Sequence, residues 1–426
     1  MNEVSENAKA ILLLTAPLIV SKKREPTDIL SLKEYNVLVR ALHGLGAQPQ
    51  DLLNSQSKSI LGELPDGLDR KRLETLLNRG FLLSQALIEW HRRGIWIISR
   101  ADASYPKRFK GKLREQAPAV LYGCGDRALL EQGGLAVVGS RNITDVLKEY
   151  AEKIGALAAE SCASIVSGAA RGIDSSAMGG ALQNGGTVIG VMADSLGRAA
   201  LAKSNREALQ EENLVLISAY DPSAGFNVGH AMQRNKMIYA LADAGLVVTS
   251  DYNKGGTWAG AIEQLEKLHF APVFVRDGAN CGHGNAALIK HGGLHWPEPQ
   301  NRQDLLNAIA NAVNEEAELS QQEQLGLSVS KSASTSPIVE RKIMETLPIE
   351  EMVDSGNPAD RLMDGVTEIL LDVLREPMRA EKVAEILKVS KSQANAWLKE
   401  LRAEGKIEKF AKPVRYQVID RANRLL

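Results

Sequence analysis

Four glycine-rich segments carry residue types that can hold phosphate. Val137-Val-Gly-Ser-Arg-Asn-Ile-Thr144 runs from a β-branched pattern into a turn. There Gly139 permits close backbone approach, Ser140 and Thr144 can cap a helix or donate to an oxyanion, and Arg141 supplies a planar, permanently charged fork. Ile165-Val-Ser-Gly-Ala-Ala-Arg-Gly-Ile-Asp174 repeats the arrangement with Ser167, Gly168 and Arg171, and ends on an aspartate at a helix start. Phe226-Asn-Val-Gly-His-Ala-Met-Gln-Arg-Asn-Lys236 brings Arg234, Asn235 and Lys236 onto a helix. Lys254-Gly-Gly-Thr-Trp-Ala-Gly-Ala-Ile-Glu263 sets Lys254, Gly255 and Gly256 before another helix start, with Trp258 either buried or placed to stack a base. Each segment alone also suits a capped turn with a solvated charge. Their repetition points to a basic groove rich in backbone N–H groups.

Such loops need a scaffold that lines them up. From residue 119 onward, short apolar runs at 119–123, 135–139, 164–168, 187–192, 214–220, 246–250 and 272–276 read as strands. Helical segments near 145–161, 172–184, 198–211, 229–243 and 257–268 alternate with them. That alternation builds a parallel sheet covered on both faces, an α/β, extended Rossmann-like fold whose ligands bind beyond the carboxyl ends of the strands. Residues 1–98 show apolar spacing near 3.6 (Leu38, Val39, Ala41, Leu42; Leu73, Leu76, Leu77, Leu83, Leu87) and read as a helical domain ahead of the 99–315 core. Residues 316–362, serine-rich and poor in aromatics, read as a flexible linker.

Residues 363–426 follow the order helix, helix, turn at Val389-Ser390, helix, two short strands, which is that of a winged helix-turn-helix. Its third helix buries Ala394, Trp397, Leu398 and Leu401 and leaves Lys391, Gln393, Asn395, Lys399 and Arg402 outward, available to a DNA groove or to a protein partner.

The net charge of -1 and the 24% of charged residues are those of an ordinary globular protein, so any nucleic-acid surface must be local. Cys124, Cys162 and Cys281 lie far apart and offer neither a disulfide framework nor metal-ligand spacing. The apolar stretch 11–20 is too short to span a bilayer, contains Pro17 and has its basic residues behind it, so the expected address is the cytoplasm, with no membrane contact.

The order of motifs resembles the DNA-processing protein A family (DprA, also called Smf). It runs from Tyr105-Pro and Ala119-Val-Leu-Tyr-Gly123 through Gly139-Ser-Arg141 and Ser167-Gly-x-Ala-x-Gly-Ile-Asp174. Arg234-Asn-Lys-x-Ile238, Gly255-Gly and Gly284-Asn-x-x-Leu-Ile289 with Gly292 complete it, over about residues 100–295. The resemblance implies a Rossmann-like core without bound dinucleotide or other cofactor, single-stranded DNA binding without catalysis, homodimerisation and loading of a RecA-type recombinase. Carried over by position, the DNA contacts are Ser140, Arg141, Gly168, Arg171, Arg234, Asn235 and Lys236. The chain departs from the family pattern at Val146-Leu147, Met178, Ser218-Ala219 and Ala259, which marks a divergent branch serving transformation, recombination or phage defence.

The wider superfamily offers a rival, a nucleotide-binding sensor or a nucleoside-phosphate hydrolase with the signature Gly-Gly-x-Gly-Thr-x-x-Glu. Counted from Gly255, the glutamate falls one residue late, at Glu263, and Thr257 comes too early. One residue turns a helical side chain by about 100°. A dinucleotide-dependent oxidoreductase lacks its glycine fingerprint, since Gly139 begins no Gly-x-Gly-x-x-Gly.

Overall fold

The computed structural model describes residues 4–19, 28–65, 67–278 and 281–324. In the C-terminal region it describes 367, 370–374, 376–387, 394, 397–398, 401–402, 406–411 and 414–418. The chain divides into two units, Met1–Lys331 and Ser332–Leu426.

In the first unit a nine-stranded sheet forms from β1 (Trp96–Ser99), β2 (Val120–Gly125), β3 (Leu135–Gly139), β4 (Ile165–Ser167), β5 (Val188–Met192), β6 (Leu214–Ser218), β7 (Ala244–Thr249), β8 (Val273–Val275) and β9 (Leu294–His295). The spatial order is β1-β2-β6-β5-β4-β3-β7-β8-β9. The strands from β6 to β9 in that order are parallel, whereas β2 pairs antiparallel with β6 and β1 antiparallel with β2. The sheet is therefore mixed, with an antiparallel pair added to the expected parallel array.

Strand alternation divides the core in two. Leu135 and Val137 of β3 join one apolar cluster, and Ala136 and Val138 join the other. The first face is covered by α7 (Asp145–Glu160), α8 (Ile173–Gln183) and α14 (Arg302–Gln324). The second is covered by α6 (Lys107–Leu113), α11 (Val228–Leu241), α12 (Gly255–Glu263) and α13 (His283–Lys290). The expected helix at 198–211 is two, α9 (Leu196–Ala199) and α10 (Lys203–Gln210). The polar stretch from 316 begins inside α14, because its Glu, Gln, Ala and Leu are strong helix formers with no glycine or proline before Gly326.

Among the described residues, five α-helices precede β1: α1 (Glu6–Thr15), α2 (Leu32–Gly44), α3 (Ser57–Glu63), α4 (Arg70–Leu77) and α5 (Gly80–Arg92). Their apolar faces, through Leu12, Leu38, Leu42 and Trp90, belong to the same cluster as the sheet. Trp90 meets Tyr122 edge to face at 5.1 Å. They form an added layer of one unit, and β1 runs across the 98/99 boundary expected from sequence.

A capping box fixes the start of α2. Ser31 accepts from the Glu34 amide while the Glu34 carboxylate accepts from the Ser31 amide. Arg72 of α4 donates to the same carboxylate at 2.6 Å. The Arg72 hydrogen bond and the two from Ser31 hold the Glu34 carboxyl at about 2, below its ordinary 4.5. A depressed carboxyl pKa stabilises the fold above the ordinary value and loses that contribution as pH falls through the folded value. Glu34→Gln is therefore expected to be less stable than wild type at neutral pH, with the gap closing between pH 4.5 and about 2, as urea unfolding across that window would measure.

In the second unit, Leu370, Leu374, Ala380, Val383, Ala384, Ala394, Leu398, Leu401 and Ile407 form a small core. It includes α15 (Ala380–Ile386) and the antiparallel hairpin of β10 (Ile407–Ala411) and β11 (Val414–Val418). Ala394, Leu398 and Leu401 are buried, as the helical spacing required, and Trp397 is half-buried. Lys391, Gln393, Asn395 and Lys399 lie outside the described residues, as does the turn at 389–390; Arg402 is exposed.

Candidate nucleic-acid interface

The sheet order reverses at β3, which has β4 on one side and β7 on the other. Chains leave β3 and β7 in opposite directions, and a crevice opens beyond their carboxyl ends. Three loops line it: residues 140–144 from β3 to α7, 168–172 from β4 to α8, and 250–254 from β7 to α12. Helices α7, α8 and α12 start at these loops, which sets their positive dipole ends beside the crevice.

Local bonds lock the loops together. Ser167 Oγ donates to the Val137 carbonyl at 2.6 Å, joining β4 to β3. Thr257 Oγ1 donates to the Gly139 carbonyl at 2.9 Å, and Ser140 Oγ to that of Thr249 at 3.4 Å, joining β3 to the β7 side. Thr144 caps α7 by accepting from the Leu147 amide. Gly172 precedes α8 at φ +95, where a Cβ would strike the Ser140 carbonyl.

Behind the loops lies a buried ion pair. Arg234 of α11 is 7% exposed, and its Nη1 stands 3.9 Å from Asp174 Oδ2. The guanidinium fills the space where a Cβ of residue 168 would be, so Gly168 is required by close approach. Asp174 is buried as well and accepts from the Gly168 amide at 3.1 Å. Burial pushes its carboxyl upward, opposed by Arg234 and by the amides of Ala170, Gly168 and Gly139.

The neighbours of Arg234 are also engaged within the protein. Asn235 Nδ2 donates to the Gly256 carbonyl at 3.0 Å. Lys236 Nζ lies 3.0 Å from Glu263 Oε1 and donates to Gln116 Oε1 at 3.1 Å, with its side chain only 14% exposed. These bonds of Asn235 and Lys236, both expected at the phosphate contact, fasten α11 onto α12 and the segment before β2. Glu263 pairs with Lys236, and the Thr257 hydroxyl donates to the Gly139 carbonyl.

Arg141, Arg171 and Lys254 are exposed at the crevice. Arg141 lies over the Phe226 ring at 5.6 Å, and Arg171 donates to Asn142 Oδ1 at 2.5 Å. Arg141, Gly168, Arg171, Met192, Phe226 and Arg234 line a pocket of about 320 Å³. Two aromatics face solvent here, Phe226 at the head of the third segment and Tyr252 outside the four segments: Phe226 is 58% and Tyr252 62% exposed. Trp258 is buried, and Tyr252 meets it edge to face at 5.1 Å. The signal for Tyr252 in the sequence is its place just beyond β7, in the loop that leads to α12. Among the described residues no group of His, Cys, Asp and Glu could hold a metal ion, and no helix is long and apolar enough to cross a membrane.

This doubly wound sheet with an antiparallel edge is a Rossmann-like fold. It resembles the X-ray structure of DNA processing protein A from Streptococcus pneumoniae with a TM-score of 0.52 at 23% identity, over 65% of this chain and 93% of that one. The family described as DNA recombination-mediator protein A matches residues 96–310, half of the sequence, and the chain belongs to that family. It is 30% identical over 194 residues to DNA processing protein DprA of Bacillus subtilis, covering 43% of this chain and 62% of that protein, which is less than two thirds of its length. To the DNA processing protein DprA of Streptococcus pneumoniae it is 29% identical over 236 residues, covering 54% of this chain and 81% of the relative.

Proposed function

We propose that this protein binds single-stranded DNA along the carboxyl edge of its sheet, without catalysis and without a cofactor. The observation that carries this reading is the combination at one crevice of three exposed cations, Arg141, Arg171 and Lys254, with two exposed rings, Phe226 and Tyr252. Cations follow a phosphate backbone, and rings take unpaired bases, which a duplex would not offer. The family's description as a recombination mediator supports a role in recombination or DNA processing; delivery of the strand to a RecA-type recombinase by a cytoplasmic homodimer is proposed on the motif resemblance alone. The second unit, read as a winged helix-turn-helix, adds a contact to DNA or protein through the face that carries Arg402.

Titrating a labelled oligonucleotide against salt tests the reading. Arg141→Ala and Arg171→Ala are each expected to weaken binding and to flatten the log–log salt slope by about 0.7, the loss of one single-strand phosphate contact. Lys236→Ala should leave that slope unchanged, because its charge is neutralised within the protein by Glu263. Absence of binding at low salt, or an unaltered slope in both arginine variants, would sink the proposal.

A further inference from the structure

The α8 N-terminus is built like an anion site, and its occupant belongs to the chain. In open α/β sheets the place beyond β3 and β4, where backbone amides and a helix dipole converge, is where a nucleotide phosphate sits. Here Asp174, the second residue of α8, puts a carboxylate there. It takes the Gly168 amide at 3.1 Å, and the amides of Ala170 and Gly139 also favour its charged form. Arg234 completes the shell from the opposite side, nine-tenths buried, with its Nε lacking any hydrogen-bond partner.

A plain helix cap does not need this setting. A capping carboxylate at a helix start is ordinarily at the surface and uses one or two amides of its own turn. Asp174 is buried, takes the Gly168 amide of the β4 loop, and faces a cation carried in by α11 from beyond β6. The unused Nε shows that the cationic partner has more donor capacity than the carboxylate takes up. A pocket of about 320 Å³ opens against the same Gly168 and Arg234, so the shell is reachable from the crevice.

We infer that Asp174 is a built-in occupant of a phosphate subsite, excluding free nucleotide phosphates from the amide nest. The carboxylate occupies the Gly168 amide and the inner face of Arg234 and would repel the charge of a phosphate monoester. Phosphate is then accepted only on the outer track marked by Arg141 and Arg171. The exclusion stands on the geometry of the nest; the outer track rests on the proposed DNA binding.

Thermal unfolding of the full chain in sodium phosphate, compared with sodium chloride at matched ionic strength, tests the inference, with AMP as a second probe. Wild type is expected to melt alike in both salts. Asp174→Ala and Asp174→Ser, which remove the internal anion, should gain a saturable stabilisation by phosphate, with affinity at least about tenfold above any wild-type response. Adding Arg234→Met to Asp174→Ala should abolish the gain. Variants that fold only when phosphate is present support the inference equally. It is overturned if both single variants keep native circular dichroism yet ignore phosphate, if neither folds even in phosphate, or if wild type responds as strongly as they do. AMP stabilising a variant that inorganic phosphate does not would also overturn it, since the nest would then be reading the nucleoside. Oligonucleotide affinity measured alongside separates the two ideas. Failure of wild type to bind DNA removes the proposed function and leaves the phosphate result intact.

Discussion

Arg234→Met is expected to lower the unfolding free energy by about 3–5 kcal/mol, the cost of leaving one member of a buried ion pair uncompensated. The methionine keeps most of the side-chain volume, so little of the loss comes from a cavity. What is lost is the charge facing Asp174, whose carboxylate cannot move to water because α8 begins on it. The double variant Asp174→Asn/Arg234→Met should lose less than the sum of the two single changes, and urea unfolding of the four proteins gives that coupling directly. Additive losses would show that the pair does not interact. Gly168→Ala should destabilise through the same pair, since its Cβ and the Arg234 guanidinium claim one space.

This pair also marks where the sequence stops being informative. The strands of the parallel array are legible because each is a short, doubly buried apolar run between turn residues; β3 at Leu135–Gly139 coincides with the run that the residues alone define. The crevice is legible for the same reason, since glycine, serine and arginine repeated at successive strand ends suit anion binding better than they suit packing. The direction of β2 is not legible, because an apolar strand reads the same whether its neighbour runs with it or against it. Nor is the four-residue β1, whose antiparallel partner is fixed only by the fold.

Arg234 and Lys236 look like groove cations in the sequence because charge there carries no burial. Their helix packs against the sheet and against α6 and α12, so that Arg234 and every residue from Met237 to Leu241 are buried. An arginine on such a helix needs a partner, and Asp174 lies 60 positions upstream in sequence. The position of the aspartate suits a helix cap; only the third dimension shows the Gly168 amide and the Arg234 guanidinium facing it.

The second large effect concerns the exposed rings. Phe226→Ala and Tyr252→Ala together are expected to weaken oligonucleotide binding by about 1–3 kcal/mol per stacked base while leaving the salt slope at its wild-type value, because no cation is removed. Both rings are more than half exposed, so the fold should be little affected; unchanged urea midpoints would establish that. The single changes should differ. Loss of Phe226 also removes the surface on which Arg141 rests, freeing a charge that remains available to phosphate. Loss of Tyr252 uncovers Trp258 beneath it, which presents a second ring in nearly the same place, so Tyr252→Ala alone should lose less than Phe226→Ala. Tyr252→Ala with Trp258→Leu then removes the replacement, and its affinity should fall further at constant slope. Binding by the Phe226→Ala/Tyr252→Ala protein at wild-type strength would mean that the strand does not follow this edge, whatever the arginines contribute. A lowered slope would mean instead that the rings serve chiefly to hold cations in position.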